Sequence, residues 1–215
     1  MDDDLLVRIV AALGSGVIVT LEVTAGALVL AVGLGLALAA IRYLWHRWAI
    51  DFAISAYVEL LRNIPSLTFL FLLYFGLAAI GMRLPALTAA IVGLGLIGAA
   101  VVVDIFRAGF QAVPQGQREA AAAIGLRPIQ AFRLVILPQG LRIALAPLGN
   151  YAVALVKDTS LVAAIAAPEV MFNARQLVNE TFQTTLVYGC AALLYLVITY
   201  SLGQAVRWVE QRTAY

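Results

Sequence analysis

The residues of this chain best placed to do chemistry are ionisable and polar groups set inside apolar stretches. At the centre of a bilayer such a group costs about 2.5–3.5 kcal/mol on insertion scales, so it faces protein or a water-filled path. Lys157 and Asp158, followed by Thr159 and Ser160, are the sharpest case. Lys157 shares a helical face with Asn150, seven residues earlier, whereas its neighbour Asp158 points elsewhere. Asp158, Thr159 and Ser160 are also residue types favoured at helix N-caps, so a helix break is expected there. Broken helices expose backbone groups where solutes cross membranes. Two readings stay open: Asn150, Lys157 and Ser160 line a path or its outer gate, or an ion pair and a cap join two helices.

Other charged residues divide the same way. Glu22 stands in the outer third of the first apolar run, where it either meets a cationic solute or hydrogen-bonds within the bundle. Glu59 with Arg62, and Asp104 with Arg107, are opposite charges three apart, a spacing that modestly stabilises a helix and suits structure or gating. His46 lies between Trp45 and Trp48, which read as interface anchors. With one His, one Cys and no His-Glu-x-x-His pattern, no catalytic residue, metal site or bound cofactor is expected. Cys190, inside an apolar run, reads as a structural thiol.

These groups need a scaffold, and composition says which. The 215 residues are 63% hydrophobic and 12% charged, with mean hydropathy +0.97. Soluble domains are about half apolar and a quarter charged. Apolar runs cover residues 13–41, 64–80, 85–103, 143–167 and 184–206, and about 20 residues suffice to cross a bilayer as a helix. The expectation is an all-α polytopic membrane protein with five spans, forming one domain over residues 1–215. The second run is short, and an earlier start near Ala53 would leave Glu59 and Arg62 in the headgroup region. The acidic start Met1-Asp2-Asp3-Asp4 is unlike a signal peptide, so the first helix is expected to persist as a span. A net charge of +2, without a basic stripe, argues against nucleic acid.

Short cytoplasmic loops carry the excess of Lys and Arg. With the N-terminus outside, ten arginines (42, 47, 62, 107, 118, 127, 133, 142, 207 and 212) fall on the inner side. Arg8, Arg83 and Arg175 fall outside. This puts the C-terminus and the polar stretch 107–142 in the cytoplasm. Within that stretch, Pro114 suits a helix start, the Ala-rich residues 115–124 suit a helix, and Gly125 with Pro128 suits its end. A second helical stretch, 129–137, leads back to the membrane at Pro138. Alanines let a helix enter a partner's groove closely; an interfacial helix would carry larger apolar residues.

The loop resembles the EAA signature of importer permeases of the ATP-binding cassette (ABC) superfamily: Glu-Ala-Ala, three residues, Gly, nine residues, Ile, one residue, Leu-Pro. Here Glu119-Ala120-Ala121 precedes Gly125, Val135 and Leu137-Pro138, and only Val135 departs. The stretches beginning at Tyr57, Asp104, Leu137 and Lys157, together with Asn150, are similar to polar amino acid permeases of the histidine/glutamine/arginine type. Phe69 stands where many such permeases carry Gln, and Asp104 where Glu is common. Both lie near the translocation path that the resemblance implies.

The resemblance implies the type I importer permease fold, methionine-permease-like, in the bacterial inner membrane. It implies a second permease chain, either a copy or a paralogue, and an extracytoplasmic amino-acid-binding protein facing the outer loop 168–183. It also implies a separate ATPase dimer holding ATP and Mg, gripped by the loop through Gly116, Glu119, Ala120, Ala121, Gly125, Arg127 and Pro138. The chain itself has no Gly-x-x-x-x-Gly-Lys-Ser/Thr sequence to cradle nucleotide phosphates. The competing class is a secondary transporter or channel subunit without an ATPase; an odd number of spans with no inverted repeat speaks against it.

Overall fold

The computed structural model describes residues 3–45 and 47–213, and within them the chain is helical, with no strand. The readings made at Met1, Asp2 and His46 lie outside the described residues. Helix α1 (Asp3–Leu44) has 42 residues. At 1.5 Å per residue it is about 63 Å long, twice a bilayer core. Its start is held by packing: Ile9 and Leu13 are buried against Val170, Ala174 and Val187.

The second span is broken. Helix α2 (Trp48–Asn63) and helix α3 (Ser66–Ala79) meet at 103°. Pro65 forces the bend by disfavouring helical backbone at the residue before it, and Ile64 is extended at φ −82° and ψ 131°. Starting the span near Ala53 therefore does not describe it. Residues 48–63 form a separate amphipathic helix that buries Ile54, Val58 and Leu61 on one face. Among the described residues four helices are long and apolar enough to cross a membrane, five spans if the bent pair is counted as one.

Helix α4 (Ala86–Gln111) is the centre of the bundle. Its buried face carries Ala89, Ala90, Gly93, Gly98, Ala99 and Ala100, small residues that let α1 and the later helices approach its backbone. A Cβ at Gly109 would stand 2.6 Å from the carbonyl oxygen of Gly140. After helix α5 (Gln115–Ala123) the chain re-enters as helix α6 (Pro128–Ile165). Within the stretch 107–142, α4 runs on to Gln111 and α6 begins at Pro128. Pro138 does not end a short helix. It lies in the first turn of an α-helical segment that follows a π-turn at Phe132–Ile136, where a missing N–H is tolerated.

The helix also changes character where a break was expected. It is α-helical to Asp158, then 3₁₀ over Thr159–Ile165, and stops at Ala166 with φ +62°. The hydroxyls there do not cap. Thr159 donates to the Val156 carbonyl at 2.7 Å, and Ser160 to that of Lys157 at 2.8 Å. Helix α7 (Val170–Thr181) packs across the N-terminal ends of α1 and helix α8 (Thr184–Thr213), which completes the bundle.

Candidate functional site

The polar loop condenses into a compact device. Pro114 precedes α5, whose end is a glycine-closed cap: Gly125, at φ +77°, donates to the Ala122 carbonyl, and the Leu126 N–H donates to that of Ala121. Gly116, Glu119, Ala120, Gly125 and Arg127 are exposed, as is Pro138 further along. Ala121 differs. It is 2% exposed and faces the protein, so it seats the helix and does not present a surface. Glu119 accepts from Gln115 at 2.8 Å, and the Arg127 N–H donates to Gln130 at the start of α6. Two side chains tie α5 to the spans. Arg118 donates to the carbonyls of Phe110 and Gln111 at 2.8 and 3.3 Å, and Gln139 donates to Gln117 at 3.4 Å.

A cleft of about 250 Å³ lies between α2, α3, α4 and α6, with Arg62, Ser66, Tyr151 and Asp158 as its polar lining, and its two charged residues, Arg62 and Asp158, are exposed. Apolar walls come from Leu94, Ile97 and Leu155. Tyr151, Leu155 and Asp158 share a helical face by their spacing. Of the residues singled out on this helix, only Asp158 reaches the cavity. Asn150 and Lys157 lie one residue off that face and do not line the cavity, although like Asp158 they are exposed, while Thr159 is fully buried. Glu22 is exposed on α1 and does not line the cavity. Phe69 packs beside Ile54, Val58 and Leu61 as a core residue.

Asp104 has a role that local spacing does not reveal. It accepts from Arg62 across the α2–α4 contact at 2.6 Å and from Arg107 at 3.3 Å. Arg62 therefore pairs between helices, and Glu59 instead accepts from Asn63 at 2.9 Å. Ser66 and Tyr151 carried no signal of their own. Gly98 is their nearest hint, because a Cβ there would overlap the Tyr151 hydroxyl.

The loop 168–183 holds a buried acid: Glu169 is fully buried. It caps α7 by accepting from the Phe172 N–H at 2.7 Å and also accepts from the Tyr195 hydroxyl on α8. Burial pushes its carboxyl above the ordinary glutamate range, opposed by these hydrogen bonds. Thr20 on α1 meets the Val170 N–H beside it at 3.4 Å. The remainder of α7 is more open: Arg175 reaches the Ala163 carbonyl at 3.2 Å, and Glu180 pairs with Arg8 at 2.6 Å. Cys190 is half-buried and unbridged.

Comparison with known proteins follows the same outline. The family described as binding-protein-dependent transport system inner membrane component matches residues 31–215. A probable glutamine ABC transporter permease of Bacillus subtilis (strain 168) is 40% identical over 158 residues, covering 74% of this chain and 73% of that protein. Another of the same description and organism is 34% identical over 203 residues, covering 93% of both. An octopine transport system permease of Rhizobium meliloti is 33% identical over 174 residues, covering 77% of this chain and 71% of its own length. Among solved structures, an amino acid ABC transporter with histidines superposes at TM-score 0.90, with 32% identity and 99% of both chains covered. The inward-facing MetNI methionine ABC transporter superposes at TM-score 0.84 over the full length of both chains, and at 22% identity it speaks for the fold alone.

Proposed function

Since the chain belongs to the family of inner-membrane components of binding-protein-dependent transport systems, we propose that it is the permease subunit of an ATP-driven importer that carries an amino acid inward. The amino acid class is supported by the glutamine, octopine and general amino acid permeases to which it is similar. A secondary transporter or channel has no counterpart among those relatives. As a permease the chain is a transport subunit; the ATP and Mg chemistry belongs to a separate ATPase dimer.

The observation that carries the mechanism is the exposed α5 helix, closed by Gly125 and tied to α4 and α6 by Arg118 and Gln139. A partner gripping Glu119 and Ala120 would move α5 and, through those ties, the ends of two spans. Closure of the ATPase dimer on ATP would draw two such loops together and rock the spans between inward- and outward-open states. The arginine distribution supports an outside N-terminus and a cytoplasmic C-terminus. Glu22, Asn150 and Lys157 lie on exposed faces of their spans, an arrangement that suits cover by a second permease chain or a wet path between the two. A binding protein would deliver cargo at the outer face beside α7.

For the cargo, the cavity offers a cation in Arg62 and an anion in Asp158, with Ser66 and Tyr151 as neutral polar groups beside apolar walls. That is the complement of a zwitterion, with carboxylate toward Arg62 and ammonium toward Asp158. Asp104 holds the guanidinium in place. The test is uptake by the permease–ATPase complex in proteoliposomes supplied with its binding protein. Asp158→Asn and Arg62→Gln should each cut uptake at least ten-fold while the complex still assembles. Lys157→Met should lower it less. Unchanged uptake in the first two would remove the cavity from the path, and failure to co-purify an ATPase would remove the importer reading itself.

A further inference from the structure

At the ends of α1 and α4, beside α5, lies a second cavity of about 280 Å³ that the transport reading does not use. Three guanidinium groups line it: Arg42 from the last turn of α1, Arg107 from the end of α4, and Arg118 from α5. Its one lining carboxylate is Asp51 of α2, which accepts from Arg42 at 3.0 Å. Arg107 is only partly neutralised, because its partner Asp104 is shared with Arg62 at the shorter distance. Arg118 is held by backbone carbonyls and by the Tyr43 ring, 5.8 Å from its centroid, and its Nε is buried without a partner. Three cations against one acid leave a surplus of positive charge around a space with room for a small anion.

We propose that this cavity binds the phosphodiester headgroup of an anionic phospholipid. Guanidinium forks match phosphate oxygens in geometry and charge. Trp48 and Phe52 stand one turn apart on α2, flanking Asp51, and are 81% and 69% exposed. Such aromatic side chains suit the level between headgroups and acyl chains. A headgroup among the arginines therefore has an apolar surface beside it for its chains, which a free phosphate would leave unused. Basic pockets between spans on the cytoplasmic side hold anionic headgroups in this manner. Because Arg118 belongs to α5, an occupied site would also brace the coupling helix.

The inference takes only its leaflet from the topology proposed above. Binding is measured on purified complex, where sidedness does not enter, so the two readings fail separately. The experiment is a native mass spectrometry titration of the permease–ATPase complex with phosphatidylglycerol and, separately, phosphatidylcholine. Phosphatidylglycerol should bind preferentially. Arg107→Gln should weaken it about five-fold, the effect of one arginine near an anionic surface. Asp51→Asn, which removes the lining acid, should tighten it, a change of opposite sign that misfolding does not produce. Equal binding of the two lipids, or identical affinities in both variants, would overturn the proposal. So would displacement by inorganic phosphate at the lipid's own concentration. Binding to the isolated permease that vanishes in the complex would overturn it too, by assigning the cavity to the ATPase.

Discussion

The short helices α5, with 9 residues, and α7, with 12, are attached in opposite ways. Helix α5 buries one alanine and offers the rest of its surface, with its ties made by long polar side chains at its flank. Helix α7 begins at a carboxylate sealed from solvent and buries Val170, Ala174 and Leu177 against the bundle. The difference teaches what each attachment transmits. A helix held by its edge, with its face open, can be gripped and moved by a partner. A helix keyed in through a buried hydrogen-bonded group moves with the spans it touches.

The comparison breaks if the buried key is dispensable. Glu169→Ala removes the α7 cap and strands the Tyr195 hydroxyl, at a cost of about 2–3 kcal/mol. Thermal unfolding in detergent should show a clear drop, and an unchanged midpoint would mean that α7 is held by apolar packing alone. Gly125→Val comes next. It forces a β-branched residue to φ +77°, costing about 1–2 kcal/mol. Its main effect falls on coupling: the protein inserts, ATP hydrolysis continues, and uptake fails. Uptake at the native rate would exclude the α5 cap from transmission.

A smaller effect is the pH response of the outer junction. The Glu169 carboxyl is raised above its ordinary 4.5, so the folded state holds that proton more tightly than the unfolded chain. Stability should therefore fall as pH rises from that value through the folded-state pKa. Glu169→Gln should flatten this part of the profile in unfolding scans from about pH 5 to about pH 8. Smallest of all is Glu119→Ala. On the exposed face of α5 it should shift stability by no more than about 0.5 kcal/mol. Its uptake should still fall, and a large unfolding shift with intact uptake would invert the comparison.

By itself the sequence determined the apolar segments, because apolar length is a local, additive quantity, though not the 103° bend within the second of them. It also determined the glycine-closed helix of the polar loop, since Pro114, the alanines and Gly125 each act on their own backbone. Rotation about a helix axis is another matter. Helix α6 is apolar around much of its circumference, so nothing local says that Tyr151 and Asp158, rather than Asn150 and Lys157, turn toward the cavity. Only the crossing with α4, where Gly98 leaves room for the Tyr151 ring, decides it. The pairing of Asp104 with Arg107 was legible from their spacing, whereas its second partner was invisible, because Arg62 is 42 residues away and arrives through the bend at Pro65. Glu169 carries no local sign of burial, lying in a loop with other polar residues. Its burial required α7 to fold back across α1 and α8, a long-range contact that sets the fate of a charge whatever its neighbours in the chain suggest.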